Sequence, residues 1–247
     1  EPGEMTPSKD AIIARTHPED RERVTASLRA LIHGASSSHE IDHRVVWEDG
    51  LVRDVRMKCE VEFRDGRPAR IIGSTQDVTA QVRREAELQR TNRALRMLSA
   101  VSQATREANS EAELLQRACD IVVGTGGYTF AWIAGKAFDP EKRVALLASA
   151  GKPEIRQRFD DNIVSWDADH PRGQGTVGRA LRSGEPCIVR DVLSDPNYAA
   201  WRDIALEDGF RATASFPLLI GGKIESALVV CAGNDTFGEA ECGLIQD

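Results

Sequence analysis

No stretch of this sequence approaches the ~18 consecutive apolar residues of a membrane-spanning helix, and its first residues do not read as a secretory leader. Absence of membrane contact and a cytoplasmic setting are therefore expected. A basic excess is lacking too. Lys and Arg number 32 against 39 Asp and Glu, a net charge of -7, which argues against a nucleic-acid partner, because phosphate binding needs a basic surface. The five cysteines, Cys59, Cys119, Cys187, Cys231 and Cys242, show no C-x-x-C spacing and no neighbouring histidine. That excludes a disulfide framework and a zinc site and predicts reduced, mostly buried thiols without a metal. Gly124-Thr125-Gly126-Gly127 follows a helix pattern and lacks the Lys-Ser/Thr ending of a phosphate loop, so it reads as a turn. No histidine is flanked by a nucleophile and an acid, so no catalytic residue is expected. Aromatics make up only 5% of 247 residues. Against that scarcity Tyr128, Trp132, Trp166 and Trp201 stand out.

What is present falls into three stretches with different patterns: 1–79, 80–108 and 109–247. In the first, Thr16-His17-Pro18-Glu19-Asp20 predicts a helix start. Proline suits the first helical position, and the acids suit the positive end of the helix. Val24, Leu28, Leu31 and Ile32 then recur at helical spacing. Ile41, His43, Val45 and Trp47 alternate with charged residues up to a turn at Glu48-Asp49-Gly50. Val55, Met57, Cys59, Val61 and Phe63 alternate after it. A second turn is expected at Asp65-Gly66 and a third strand from Ile71 to Gln76. Two faces of unlike polarity predict an antiparallel sheet.

The run from Asp77 to Glu107 holds no Gly or Pro and is rich in strong helix formers. Its apolar stripe is narrow: Leu88, Leu95 and Leu98, with Thr91 or Asn92 between. A helix with so little to bury either packs on its own domain or pairs with a second copy, and a parallel two-stranded coiled coil with those leucines in its seam is expected. Such a homodimer would carry a signal along the chain.

In the last stretch, Ser110-Glu111-Ala112-Glu113 predicts a capped helix. Strands are predicted at Tyr128–Ala134, Val144–Ala150, Pro186–Arg190, Arg211–Ile220 and Glu225–Ala232. Helices are predicted at Pro153–Phe159, Thr176–Arg182 and Ala199–Asp208. The fold class is α+β: two domains with antiparallel sheets joined by a long helical linker.

The residues "THPEDRERV", the hairpin around "EDG" and "RDGRPARIIGSTQDVTAQ" resemble the C-terminal half of a PAS domain. The resemblance implies that Asp77, Val78 and Thr79 hand the last strand over to a signalling helix. The residues "GYTFAWI", "RGQGTVGRALRSGEPCIVRDVLSDPNYAAWRDIALEDGFRATASFPL" and "FGEAE" are similar to a GAF domain of bacterial sensor kinases and cyclic-dinucleotide signalling proteins. That likeness implies a small-molecule pocket. Tyr128, Trp132, Trp166 and Trp201 are candidate ligand contacts as scarce aromatics, and Arg172 and Thr176 as residues of a Gly-rich loop leading into a helix, whose N-terminus suits an anion. The residues name no cofactor.

The expectation is a non-enzymatic sensory fragment, with a histidine kinase or a cyclic-di-GMP enzyme as the output further along. The PAS–GAF order also resembles phytochromes. Yet Cys187 precedes isoleucine where a bilin-binding domain commonly has Cys-His, and no reactive flavin cysteine is visible. A photoreceptor fragment and a ligand-free dimerising module are the alternatives.

Overall fold

In a computed structural model the described residues are 8–33, 38–65, 67–161, 164–220 and 222–233, with Phe237, Cys242, Gly243 and Ile245. Gly34, Ser36 and Ser37, which with Ser38 are read from the sequence as the end of the helix through Ile32, lie outside them, as do the Gly66 half of the second turn and most of "FGEAE", while Ser38 itself opens a strand. The chain divides into two compact units, 1–87 and 88–247.

In the first unit, α1 (Lys9–Arg15) is capped by Ser8, whose side chain accepts from the Ala11 N–H. A 3-10 turn at Pro18–Asp20 leads into α2 (Arg21–Ile32). Three antiparallel strands follow in the order β1 (Ser38–Val46), β2 (Val52–Arg64), β3 (Arg67–Asp77). Gly50 closes the first hairpin at φ 79°, a conformation that glycine adopts without a Cβ penalty. Val24, Leu28 and Leu31 of α2 pack on Ile41, Met57, Cys59 and Val61 of the sheet. His43 is buried on the same strand as Ile41, and burial lowers its pKa. The opposite face is wet: Arg56 pairs with Asp42 at 2.7 Å and Lys58 with Glu40 at 3.1 Å.

The alternation fades at the sheet ends. Trp47 and Phe63, expected inside, are 44% and 43% exposed. The Arg53 guanidinium covers the Trp47 ring at 4.8 Å, so that ring is shielded by a cation instead of a core.

The third strand ends at a hydrogen-bonded junction. Val78 is buried and donates its N–H to the Asp54 carbonyl at 2.9 Å. The Thr79 N–H donates to Asp77 Oδ1 and the Asp54 N–H to Thr79 Oγ1, each at 2.9 Å. From there α3 (Thr79–Glu107) runs for 29 residues. Its buried residues are Ala94, Met97 and Ala104, whereas Leu88 and Leu95 are 64% and 49% exposed and Leu98 is half-buried.

In the second unit, α4 (Glu111–Gly124) is capped by Ser110, which accepts from the Glu113 N–H, while Glu113 accepts from the Asn109 N–H. Five antiparallel strands are ordered β5-β4-β8-β7-β6: β4 (Phe130–Lys136), β5 (Val144–Gly151), β6 (Cys187–Val189), β7 (Ala212–Ile220) and β8 (Lys223–Ala232). Strand β4, paired on both edges by β5 and β8, is buried on both faces. Ala131 and Ile133 join a core with Cys119 and Val122 of α4, and Phe130, Trp132 and Ala134 join the other core. The second core is covered by α5 (Pro153–Asp161), α6 (Thr176–Ser183), a 3-10 turn at Pro196–Trp201 and α7 (Arg202–Asp208). The single helix expected over Ala199–Asp208 is therefore two pieces.

Candidate functional site

The site starts from two glycines. Gly178, in the first turn of α6, leaves no room for a Cβ, which would overlap the Gly173 carbonyl oxygen. The loop before α6 is thereby pressed onto the helix. At the N-cap, a Cβ on Gly175 would lie 3.1 Å from Trp201 Nε1, so the indole rests on the start of α6. Asp195 caps the Pro196 turn by accepting from the Asn197 N–H at 2.8 Å, and this turn delivers Tyr198 and Trp201 to the same place. Arg172 closes the group with its guanidinium 5.5 Å over the Trp201 ring. A cation over an indole face is held there by the ring quadrupole.

Beneath these residues lies a cavity of about 60 Å³. One water-sized group takes roughly 10–15 Å³ of such space, so a handful fit. Its walls are mainly apolar and include Phe130, Trp132, Val177, Tyr198, Trp201 and Phe210. The polar groups are few: Arg172, Thr176, Asp208, Thr213 and Cys231 also line it. Thr176 is buried, and its Oγ1 accepts from Ser215 Oγ at 2.9 Å. No side chain caps the first turn of α6. An apolar cleft with a few placed polar groups is the usual form of a small-molecule site.

Burial sets the electrostatics of the interior. It pushes the Tyr198 phenol well above its ordinary value, helped by the neighbouring Cys231 and Asp208. It pushes the Cys231 thiol up to about 12. Such a thiol stays protonated at neutral pH and is a poor nucleophile. All five cysteines are free and buried. Among the described residues no cluster of three or more His, Cys, Asp or Glu side chains is placed to hold a metal.

Four of the six residues expected to contact a ligand come together here: Trp132, Arg172, Thr176 and Trp201. Trp166 does not line the cavity. It packs on the same core from outside, donates Nε1–H to the Ala137 carbonyl at 3.2 Å, and carries Lys136 and Lys142 over its ring at 5.3 and 5.6 Å. Tyr128 is set apart as well. It belongs to the core on the α4 side and stacks on Phe237 at 5.8 Å, because it precedes β4 and Gly127 turns the chain at φ 73° before the strand begins.

Asp208 and Tyr198 were not singled out by the sequence. Asp208 carried a readable signal, since it ends α7, where the helix dipole disfavours an acid.

The family model for the GAF domain matches residues 108–246, and the model for the PAS fold matches residues 1–75. Both are regulatory sensory domains. No curated protein matches the sequence. Among solved structures, the GAF domain of a phosphoenolpyruvate-protein phosphotransferase from Coxiella burnetii is 18% identical, with a TM-score of 0.49 over 62% of this chain and 87% of that one. The free methionine-R-sulfoxide reductase from Neisseria meningitidis is 15% identical, with a TM-score of 0.49 over 62% of this chain and 81% of that one. A sensory box histidine kinase/response regulator from Burkholderia thailandensis E264 is 30% identical, with a TM-score of 0.30 over 33% of this chain and 63% of that one. The GAF match takes in more than half of the sequence, and the chain belongs to the GAF domain family, with a PAS fold and a long helix ahead of its GAF domain.

Proposed function

We propose that this chain is the input section of a bacterial signal-transduction protein. Its GAF cavity binds a small molecule, and α3 pairs with the same helix of a second copy through Leu88, Leu95 and Leu98. The signal passes along that dimeric helix to an output domain, a histidine kinase or a cyclic-di-GMP enzyme. The sheet of β1–β3 is read as the C-terminal half of a PAS fold, and Asp77, Val78 and Thr79 as the junction that couples it to α3. The setting is cytoplasmic. No described helix is long and apolar enough to cross a membrane, and the net charge of -7 disfavours nucleic acid.

The observation that carries this reading is the cavity under Arg172 and Trp201, with its apolar walls and few polar groups. Planar aromatic walls give contact area at low entropy cost, and an arginine at the rim supplies charge-assisted donors. Thermal-shift screening of a metabolite library tests it. A ligand that stabilises the unmutated protein is expected to lose about tenfold in affinity on Arg172→Ala, with the unliganded melting temperature nearly unchanged, because a partly exposed loop arginine contributes little to folding. Equal shifts in both proteins remove Arg172 from the site. No shift with any compound turns the reading toward a dimerising module without ligand.

A further inference from the structure

The cavity is lined by one cation and one anion. Arg172 is partly exposed beside Trp201, whereas Asp208 is 5% exposed. Burial is the main cause that raises the pKa of Tyr198 and Cys231, and the negative charge of Asp208, which lines the same cavity, adds to it in both. Phe130, Trp132, Tyr198 and Trp201 line the same cavity as these two charges.

A ligand with a single anionic group would meet Arg172 but bring a like charge toward Asp208. A ligand with a single cationic group would do the reverse. A molecule with both charges complements both side chains. Aromatic walls add a preference of their own: ring faces attract an ammonium group, and methylated ammonium suits them best because it has little hydration to lose. A carboxylate offers several acceptor sites, so Asp208 serves as counter-ion while keeping its other partners.

We propose that the ligand of this cavity is a small zwitterion, an alkylated ammonium carboxylate, with its carboxylate at Arg172 and its ammonium among the aromatic rings beside Asp208. This rests on the reading of the cavity as a sensory site. The cavity of about 60 Å³ limits the class to compact members.

The test is a titration of the whole chain by calorimetry with glycine, dimethylglycine and glycine betaine. Acetate serves as the anion alone, tetramethylammonium as the cation alone and indole as a neutral aromatic. Affinity is expected to rise from glycine to betaine. Each single-charge probe is expected to bind at least about tenfold more weakly than betaine, the effect of one charge-assisted contact. Asp208→Asn is expected to abolish the preference for betaine over acetate, and Arg172→Ala the preference over tetramethylammonium. If Asp208→Asn does not fold, the probe series on the unmutated chain decides alone. Acetate or tetramethylammonium binding as tightly as betaine overturns the proposal, and so does an absence of betaine binding at millimolar concentration. Indole or a library compound binding in place of every zwitterion overturns the ligand class but keeps the sensory reading. No binding by any compound removes both.

Discussion

Asp20 is the acid most firmly held in the first unit. It is buried and accepts from the Arg44 N–H at 2.9 Å and from the Arg44 guanidinium at 3.0 and 3.1 Å. The guanidinium bond, opposed by burial and reinforced by the backbone N–H, holds its carboxyl well below the usual carboxylate range. The unfolded chain keeps the ordinary value near 4, so it binds this proton more readily than the folded chain. The contact therefore stabilises fully above that value and progressively less as pH falls below it. Asp20→Asn is expected to cost about 2 kcal/mol at neutral pH, and the gap should narrow by pH 3, as read from urea unfolding at both pH values. A gap that stays constant would show that the loss is steric and not electrostatic. Nothing in the sequence linked Asp20 to Arg44. His17-Pro18-Glu19-Asp20 announced a helix start, but its partner lies on a strand that only the fold brings near. The candidate site was legible in the same uneven way. Scarcity flagged Trp132 and Trp201, and a glycine-rich loop before a helix flagged Arg172 and Thr176. The same scarcity also flagged Trp166 and Tyr128, which pack elsewhere, because rarity says nothing about which face a ring occupies.

Helix α3 separates two kinds of apolar residue. Ala94 and Met97 are 1% and 4% exposed, whereas Leu88 and Leu95 stand in solvent, seven residues apart on one stripe. A leucine left open in the single chain costs little to replace there, but a charge in a paired seam is buried without a partner. Leu95→Asp is therefore expected to leave helicity and melting of the dilute protein nearly unchanged and to abolish a dimer in sedimentation at micromolar concentration. Ala94→Asp, one residue earlier, should instead unfold the second unit's contact with this helix. An unmutated protein that sediments as a monomer ends the seam. Elements of this kind were the most legible, since their period extends over many residues. Boundaries failed where a local interaction outweighs pattern. Strand β4 begins two residues later than expected because Gly127 turns first, and it continues through Gly135, which has no side chain to signal a face. The helix expected over Ala199–Asp208 splits because the cap at Asp195 and the proline after it start a separate 3-10 turn.

The order of domains along the whole molecule, PAS and then GAF, is shared with phytochromes, and order alone would suggest a pigment. The residues argue otherwise. Covalent attachment of a bilin needs a reachable thiol, and all five cysteines are buried. Burial raises the pKa of Cys187, the thiol that precedes isoleucine where a histidine would be expected. The same cause pushes Cys119 and Cys231 up to about 12, so these thiols are poorly nucleophilic at neutral pH. The volume points the same way, because a cavity of about 60 Å³ has room for a handful of water-sized groups and not for four linked pyrrole rings. The protein is therefore expected to purify colourless from cells that make both bilin and flavin. Native and acid-denatured absorbance spectra check this together. A visible band that persists after denaturation and filtration would mean a covalent pigment, and with it a second conformation in which one of these cysteines opens to solvent. A band lost on denaturation would mean a bound but unattached chromophore, and the small-zwitterion assignment would then fail with it if the chromophore occupied the GAF cavity.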